Sequence, residues 1–295
     1  MRLSHPQQPF HASRSWVIGS ALLMIALSCA KPSAAEETKA PSAAEVTAAV
    51  QADSKSSLTG SLSLISDYRF RGISQTWQGA AVQGAVELAL PKGFYLGTSL
   101  SNVSTNSYGR GQGLEHDIYG GWRGELVPDW LLDAGLLQYR YPGARLGASD
   151  GSSKRFDTTE LYLGATHGGL SIKWSVALTP YFGLGESTAG SAFATALQPA
   201  GSSRGSQYLD LNYQHPLGDL ATLGLHGGYT WVRNYSDVSY ADWRISLSRA
   251  WGPWTASLAY AGTSADARYY SAVNSRGQWR DLARSGWLLG LSAGF

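Results

Sequence analysis

The sequence predicts an all-β protein, a transmembrane antiparallel β-barrel of about 12 strands. From Leu58 onward, apolar and polar residues alternate through twelve segments of about 10–12 residues, the length that a tilted strand needs to cross a bilayer. Tight and long connections alternate between these segments without exception, as the short periplasmic turns and longer extracellular loops of such barrels do. Only 15% of the residues are charged, against about 25% in a typical soluble domain.

The connections define the orientation of the predicted barrel. The predicted strands are 58–70, 80–90, 94–103, 114–126, 130–141, 157–167, 170–180, 206–215, 220–232, 240–250, 254–261 and 284–295. The tight turns are 91–93, 127–129, 168–169, 216–219 and 251–253, and the long loops are 71–79, 104–113, 142–156, 181–205, 233–239 and 262–283. An even number of strands with short turns on one side places both termini in the periplasm. A Greek-key sandwich has no reason to produce this series.

The segment before the barrel predicts export. Residues 1–35 have the basic start, apolar stretch and small-residue cleavage motif of a signal peptide, with cleavage at 30/31 or 35/36. Lipidation of Cys29, the only cysteine, is the alternative. Residues 36–57 are rich in Ala, Ser, Thr, Glu and Lys and predict a flexible periplasmic segment, which leaves 58–295 as the barrel. The chain has a net charge of +2 before the leader is removed, so its charge gives no reason to expect a nucleic-acid partner.

The last strand carries an apolar stripe at every second position. It consists of Trp287, Leu289, Leu291, Ala293 and Phe295. This stripe is suited to a lipid-facing surface, and it resembles the carboxy-terminal signal by which outer-membrane barrels reach their insertion machinery. Aromatic residues at strand ends predict interfacial girdles: Tyr68, Phe70, Phe94, Trp122, Trp130, Tyr139, Tyr141, Trp174, Tyr229, Trp231, Trp243, Trp251, Trp254 and Tyr260.

The parity opposite to the apolar one predicts the residues of the lumen. A charge that faces lipid at the bilayer centre costs about 2–4 kcal/mol, so charged side chains belong inside. The candidates for pore lining and selectivity are Asp67, Arg69, Arg71, Glu87, Asp117, Arg123, Glu160, Asp210 and Arg244, and Glu115, Lys173, His226 and Asp242 share their parity. These residues either line a narrow aqueous pore or pair with one another and plug the lumen, and the strand number does not decide between the two.

The densest of these features is the segment from Asp67 to Arg71, at the predicted extracellular mouth. Its two arginines are suited to hold anionic groups, with Asp67 orienting them. The alternative is that they hold the first loop or the seam between the first and last strands. If they select solutes, changing Arg69 and Arg71 together to alanine is expected to weaken anion preference.

Several stretches resemble one known family. They are Ser66-Asp67-Tyr68-Arg69-Phe70-Arg71-Gly72-Ile73-Ser74-Gln75-Thr76, Gln83-Gly84, Gly93-Phe94-Tyr95-Leu96-Gly97, Ser101-Asn102-Val103, Asp117-Ile118-Tyr119-Gly120-Gly121 and Tyr139-Arg140-Tyr141-Pro142-Gly143. The set is similar to the TorF-type porins, proteobacterial outer-membrane proteins earlier catalogued as a conserved domain of unknown function. The resemblance implies an outer-membrane barrel and does not imply a substrate. The sequence departs from the family in its loops, notably at Trp77 and in 184–206.

The predicted function is passive diffusion of small hydrophilic solutes through an outer-membrane porin-like channel. Neither a cofactor nor a catalytic or metal-binding residue is predicted. One alternative is a non-conducting barrel that acts through its extracellular loops, of which 262–283 carries basic and aromatic residues suited to lipopolysaccharide phosphates, besides simple surface cover. Another is a lipid-modifying hydrolase at the outward-facing His116, which the inward parity of Ser99 and Ser101 disfavours. His167 and His226 face opposite ways, so they do not form a metal pair.

Overall fold

The computed structural model describes residues 56–109, 111–191 and 197–295. The predicted signal peptide and most of the predicted periplasmic segment therefore lie outside the described residues. No helix in these ranges is long and apolar enough to cross a membrane. The helical elements described are single 3-10 turns at Pro91–Gly93, Tyr181–Gly183 and Ser236–Val238.

Twelve antiparallel strands close into one barrel, in the order of the sequence. They are β1 (Ser57–Ile65), β2 (Ala81–Ala89), β3 (Phe94–Asn102), β4 (Leu114–Val127), β5 (Trp130–Arg140), β6 (Thr158–His167), β7 (Leu170–Ala177), β8 (Gln207–Leu217), β9 (Ala221–Trp231), β10 (Tyr240–Trp251), β11 (Trp254–Thr263) and β12 (Gly286–Gly294). The closing seam pairs Ser61 with Gly294 and Ile65 with Gly290. The predicted fold class, strand number and alternation of short and long connections are confirmed.

The two faces of the wall differ in polarity because side chains alternate along each strand. Outward positions are apolar and exposed, as at Leu58, Leu62 and Leu64 on β1. The stripe on β12 also faces outward, and Trp287 is 68% and Leu289 61% exposed. The inward positions carry most of the charged residues of the strands, whereas Arg140 and Arg249 face outward near strand ends, so the barrel has a mainly apolar exterior and a polar lumen.

The first predicted strand, 58–70, is longer than the strand in the structure. β1 ends at Ile65, and the chain then turns into the barrel, where Arg69–Phe70 pairs with Ile73–Ser74. Arg71 and Gly72 form the two-residue turn between them, with φ of 49° and 79°. Positive φ at both central residues is the signature of a type I′ turn, the turn that best fits the twist of a hairpin. We call residues 67–76 the inward hairpin.

Four of the predicted girdle aromatics are therefore misplaced. Tyr68 and Phe70 lie in the inward hairpin and are buried. Tyr139 and Tyr141 are also buried, inside the extracellular end of the barrel. There they join an aromatic and aliphatic core formed by the long loops, in which the ring centroids of Tyr108 and Tyr141 stack 4.3 Å apart. This loop core closes the described extracellular end over the inward hairpin.

Two long loops contribute to the loop core. The loop after β7 packs Tyr181, Phe182 and Leu184 into it. The loop before β12 contributes Tyr269 and Tyr270 and contains a short ribbon of Ser271–Val273 with Trp279–Asp281. A second ribbon, Arg145–Gly147 with Ser153–Arg155, lies in the loop after β5. The loops are therefore packed against one another as well as covering the surface.

Candidate functional site: the inward hairpin and the polar lumen

Asp67 organises the inward hairpin from within. Its carboxylate accepts hydrogen bonds from Arg69 Nε at 2.9 Å, Ser74 Oγ at 2.6 Å and Thr76 Oγ1 at 3.1 Å. The backbone of Gln75 donates to the carbonyl of Tyr68 at 2.7 Å. A carboxylate with several donors is well satisfied even when it is buried. Asp67 thus fixes the shape of the hairpin.

The inward hairpin reaches strands on all sides of the lumen. Tyr68 donates its hydroxyl to Glu115 on β4 at 2.6 Å, and Arg71 reaches Glu160 on β6. On the opposite side, Gly72 lies so close to β10 that a β-carbon added there would lie 2.8 Å from Cβ of Asp242. The hairpin therefore spans the lumen from β4 and β6 to β10.

Arg71 makes the most complete set of contacts in the hairpin. Its Nη2 donates to both carboxylate oxygens of Glu160, at 2.9 and 2.7 Å, and both side chains are almost fully buried. The guanidinium carbon lies 4.2 Å from the ring centroid of Tyr208 and 5.8 Å from that of Tyr181. Phe70 contributes a third ring at 4.7 Å. The cation is thus held by one carboxylate and several aromatic faces, an arrangement that stabilises a desolvated guanidinium.

A second charged cluster lies on the wall towards the periplasmic side. Arg123 donates from Nη1 to Glu87 at 3.0 Å and from Nε to Asp133 at 3.3 Å. The hydroxyl of Tyr95 donates to Asp133 at 2.5 Å, and it also contacts the hydroxyl of Tyr162. Arg123 lies 4.1 Å above the ring of Tyr95. This cluster binds β2, β3, β4, β5 and β6 together through their inward faces.

A third cluster covers the wall between β7 and β10. His226 lies between two carboxylates, with Nδ1 3.2 Å from Asp210 and Nε2 2.7 Å from Asp242. Lys173 is 3.9 Å from Asp210, and the hydroxyl of Tyr208 donates to Asp242 at 3.2 Å. Below the inward hairpin, a cavity of about 60 Å³ is lined by residues that include Asp67, Arg69, His226, Asp242 and Arg244.

Two acidic residues share the extracellular end of β4. Glu115 accepts from Tyr68, and Asp117 accepts from Ser99 Oγ at 3.1 Å. Both side chains are buried. In the loop core above them, burial raises the pKa of the Tyr108 and Tyr141 phenols well above their usual value, and the negative charge of Glu115 adds to both shifts.

Inward-facing glycines make room for tyrosine rings that lie along the wall. Tyr95, Tyr119 and Tyr162 face Gly121, Gly97 and Gly135 directly across a strand pair. A β-carbon added at Gly135 would lie 2.6 Å from the carbonyl oxygen of Gly120 as well as against the Tyr162 hydroxyl. Aromatic rings that cover glycines in this way shield the exposed backbone and fix strand register. They also keep the rings flat against the wall.

The structure places the predicted lumen residues inside the barrel and in more than one cluster. Asp67, Arg69 and Arg71 lie in the hairpin. Arg71 is brought together with Glu160, and Glu87 with Arg123, whereas Asp117, Asp210 and Arg244 lie apart from these pairs. Their role in selectivity stays a prediction. Except for Arg244, for which the cavity lining is described, these side chains are hydrogen-bonded or ion-paired with other residues of the protein, so a solute would meet these pairs.

Asp133 is the inward charge that the sequence analysis missed. It completes the Arg123 cluster, and Tyr95, Tyr119 and Tyr162 were missed with it. Leucines occur on both faces of β5, with Leu131 and Leu137 inward and Leu132 and Leu136 outward, so the alternation there is weak. With Asp133 included, the strands and the hairpin place eight carboxylates and five basic side chains within the described lumen above its periplasmic rim. The acids are Asp67, Glu87, Glu115, Asp117, Asp133, Glu160, Asp210 and Asp242, and the bases are Arg69, Arg71, Arg123, Lys173 and Arg244.

The outer surface near His116 has no nucleophile pair of the serine–histidine kind among the described contacts. His116 Nε2 lies 3.0 Å from Thr98 Oγ1 on the neighbouring strand. Ser99 and Ser101, the nearby serines, face the lumen and are buried. His167 stacks on Trp130, with ring centroids 5.0 Å apart, on the outside of the barrel.

Solved porin structures are similar to this chain in overall architecture. A KdgM porin is 11% identical, with 80% of this chain and 99% of that chain covered and a TM-score of 0.46. A NanC porin in a rhombohedral crystal form is 10% identical over 80% of this chain and 99% of that chain, with a TM-score of 0.44. OccD3 (OpdP) of Pseudomonas aeruginosa is 13% identical over 81% of this chain and 65% of that chain, with a TM-score of 0.35. Identities and scores this low carry no information about a solute.

Sequence comparison gives the family. No curated protein sequence matches this chain. The model of one family, described as bacterial protein of unknown function (Gcw_chp), matches residues 49–295, which include the inward hairpin and all twelve strands. The chain belongs to the Gcw_chp family.

Proposed function

We propose that the protein is an outer-membrane channel of the porin type, through which small hydrophilic solutes diffuse down their gradient. The observation that carries this proposal is the reversal of polarity across the wall, with an apolar exterior around a lumen that contains charged residues on every side. An apolar exterior is suited to lipid, and the outward stripe on β12 is suited to recognition by the barrel-insertion machinery. The predicted export signal agrees with this location.

The inward hairpin would be the constriction of this channel. It contacts β4, β6, β8, β10 and β12, so a solute cannot pass at its level unless the hairpin moves. We therefore expect a low conductance in the resting state and larger conductance when the hairpin is displaced. Loops that fold into a barrel and narrow it reuse the same hydrogen bonding and charge pairing that operate elsewhere in a protein.

The excess of carboxylates favours cations over anions. Arg69 pairs with Asp67 at 2.9 Å and Arg71 with Glu160 at 2.7 Å, so neither guanidinium is offered to an external anion in this structure. A low-dielectric wall focuses the field of the remaining acidic side chains into the lumen. Cation preference is the alternative to the anion-preferring mouth expected from the sequence, and reversal potentials distinguish the two.

The test is the single-channel conductance of the refolded mature chain in a planar bilayer, with reversal potentials measured in a salt gradient. A variant in which a Gly-Ser linker replaces residues 67–76 is compared with one in which the same kind of linker replaces the exposed turn 274–277. The expected result is small cation-preferring steps that grow only when 67–76 is replaced. If the wild type and both variants insert and fold but none of them conducts, the channel proposal is overturned.

A non-conducting surface barrel is the second candidate, and the loop core favours it. The extracellular loops bury Tyr108, Tyr141, Phe156 and Leu184 together, which gives the outer end a firm packed surface. In the loop before β12, Arg268 already pairs with Asp266 at 2.6 Å and Arg280 lies 3.9 Å over the ring of Trp77. This candidate would be supported if barrels that do not conduct bind lipopolysaccharide and if replacement of 274–277 abolishes that binding.

A further inference from the structure

The partners of Arg71 come mainly from the wall and the loops, and not from the inward hairpin. Glu160 lies on β6, Tyr208 on β8, and Tyr181 in the loop after β7. Tyr181 contributes its hydroxyl, 3.5 Å from Nη1 of Arg71, as well as its ring. Each of these three side chains is almost fully buried. Removal of the hairpin would leave a carboxylate beside two aromatic faces.

This arrangement has the chemistry of a site for an organic cation. A carboxylate supplies the charge and two hydrogen-bond acceptors, and a tyrosine ring supplies a face on which a planar cation stacks. A guanidinium suits it better than an ammonium because its plane can lie on Tyr208 while an edge donates to Glu160. Anions would be repelled by the Glu160 charge, and neutral sugars would lack the opposite charge that forms an ion pair with it.

We propose that Glu160, Tyr181 and Tyr208 form a binding site for the guanidinium or alkylammonium group of a solute, and that Arg71 occupies this site as an internal competitor. The idea that the bound solute then permeates rests on the proposed channel function. A solute that carries such a group takes the place of Arg71, and the inward hairpin loses its strongest contact with β6. Binding and opening are thereby coupled, since the ligand favours the state in which the hairpin has left.

The turn geometry supplies a suitable variant. Arg71 has a positive φ of 49°, a conformation that glycine adopts without a β-carbon penalty, so Arg71→Gly removes the guanidinium and retains the turn. Arg71→Asn is a second variant, because Asn-Gly is favoured in type I′ turns. Arg69→Ala is the matched control, since the ion pair of Arg69 is with Asp67 of the same hairpin and not with Glu160.

The experiment is calorimetric titration of the refolded mature chain in detergent micelles with methylguanidinium chloride. Arg71→Gly is expected to bind it saturably, and the wild type and Arg69→Ala much more weakly. Adding Glu160→Gln to Arg71→Gly is expected to weaken binding about tenfold or more, the range for loss of a charge-assisted hydrogen bond. Methylammonium is expected to bind less well, and glucose and sodium chloride at equal concentration not at all.

Two results would overturn the site. In the first, Arg71→Gly binds methylguanidinium equally well with and without Glu160→Gln. In the second, Arg71→Gly and Arg71→Asn fold but neither binds methylguanidinium. If neither variant folds, hydrogen exchange on the wild type replaces the titration. Methylguanidinium should then speed exchange at the amides of Tyr68 and Gln75, which are hydrogen-bonded within the hairpin, and unchanged exchange would overturn the proposal. Binding without conductance would retain the site and reject only the channel, so the two failures are distinguishable.

Discussion

The guanidinium of Arg71 and the carboxylate of Glu160 meet inside the barrel, 89 residues apart in sequence, with one nitrogen donating to both carboxylate oxygens. Both charges are removed from solvent. A buried pair of this kind gains little net stability over apolar packing, but the loss of one partner leaves the other charge buried and unpaired. Such a pair is therefore suited to hold a movable element in one position.

A double-mutant cycle measures this pair. Glu160→Gln or Arg71→Gly alone is expected to lower the free energy of unfolding by about 3–5 kcal/mol, because each leaves a buried charge without its partner. The double variant should lose less than the sum of the two. The measurement is urea unfolding in micelles, with Arg155→Gln as the control because the side chain of Arg155 is 72% exposed and pairs with Asp157 at 3.5 Å. Strict additivity of the two changes would show that the pair is not coupled.

Gly72 and Gly151 offer a matched test of the hairpin. Their φ values are 79° and 80°, so an alanine meets an unfavourable positive φ at both positions. An added β-carbon at Gly72 meets Asp242 at 2.8 Å, whereas one at Gly151 meets nothing within 4 Å. Gly72→Ala should therefore dislodge the inward hairpin and raise conductance severalfold, while Gly151→Ala should conduct as the wild type does. Equal conductance of the two variants would show that the position of the hairpin does not control conductance.

Alkaline pH should loosen the loop core. Burial raises the pKa of Tyr108 and Tyr141 above the unfolded value of about 10, so the folded state retains phenol protons that the unfolded chain releases. The stabilising contribution of neutral phenols is therefore complete below pH about 10 and is lost as the pH rises above it. The ultraviolet absorbance of tyrosinate and the conductance are measured together as the pH is raised. Tyr108 and Tyr141 should ionise later than exposed tyrosines, and the conductance should rise as they ionise. Tyr108→Phe should shift that opening to higher pH, and ionisation of all tyrosines in one early step would contradict the expectation.

The tyrosine-covered glycines should resist substitution. Gly135→Ala is expected to destabilise the barrel by about 1–3 kcal/mol, because the new methyl group collides with the Tyr162 hydroxyl and a neighbouring carbonyl. Gly227 faces outward, and a β-carbon there meets nothing within 4 Å. Gly227→Ala should be neutral or stabilising by up to about 1 kcal/mol. Unfolding in urea compares the two, and similar losses would show that the tyrosine contact does not set the cost.

The sequence predicts the wall well because lipid imposes a strict rule on it. An outward charge is costly and an outward leucine is not, so the alternation around Leu58 and Leu62 and the segregation of Glu87 and Arg123 are strong signals. Where both faces of a strand carry leucine, as in β5, the signal weakens, and Asp133 was missed for that reason. Local periodicity therefore predicts the elements that contact lipid.

The inward hairpin could not be predicted in this way. Asp67, Arg69 and Arg71 continue the alternation of β1 without a break, so the pattern places them in the wall. The available signal was Arg71-Gly72, a pair compatible with a type I′ turn, yet a turn alone does not say whether a hairpin folds inward or outward. That direction depends on partners distant in sequence, such as Glu160 and Tyr208. Pairings of this kind are not visible in a periodicity.

The anchoring of the inward hairpin also has a consequence for the order in which the protein assembles. The hairpin follows the first strand, but Trp77 and Gln78 beside it are anchored 195 and 203 residues later, on the carbonyls of Ala272 and Asp281. Ser74 donates to the carbonyl of Leu282, just before β12. Contacts between such distant residues form late, because the intervening chain must first be ordered. We therefore expect the inward hairpin, which is among the first segments of the barrel to be made, to reach its final position only when the loop before β12 is in place.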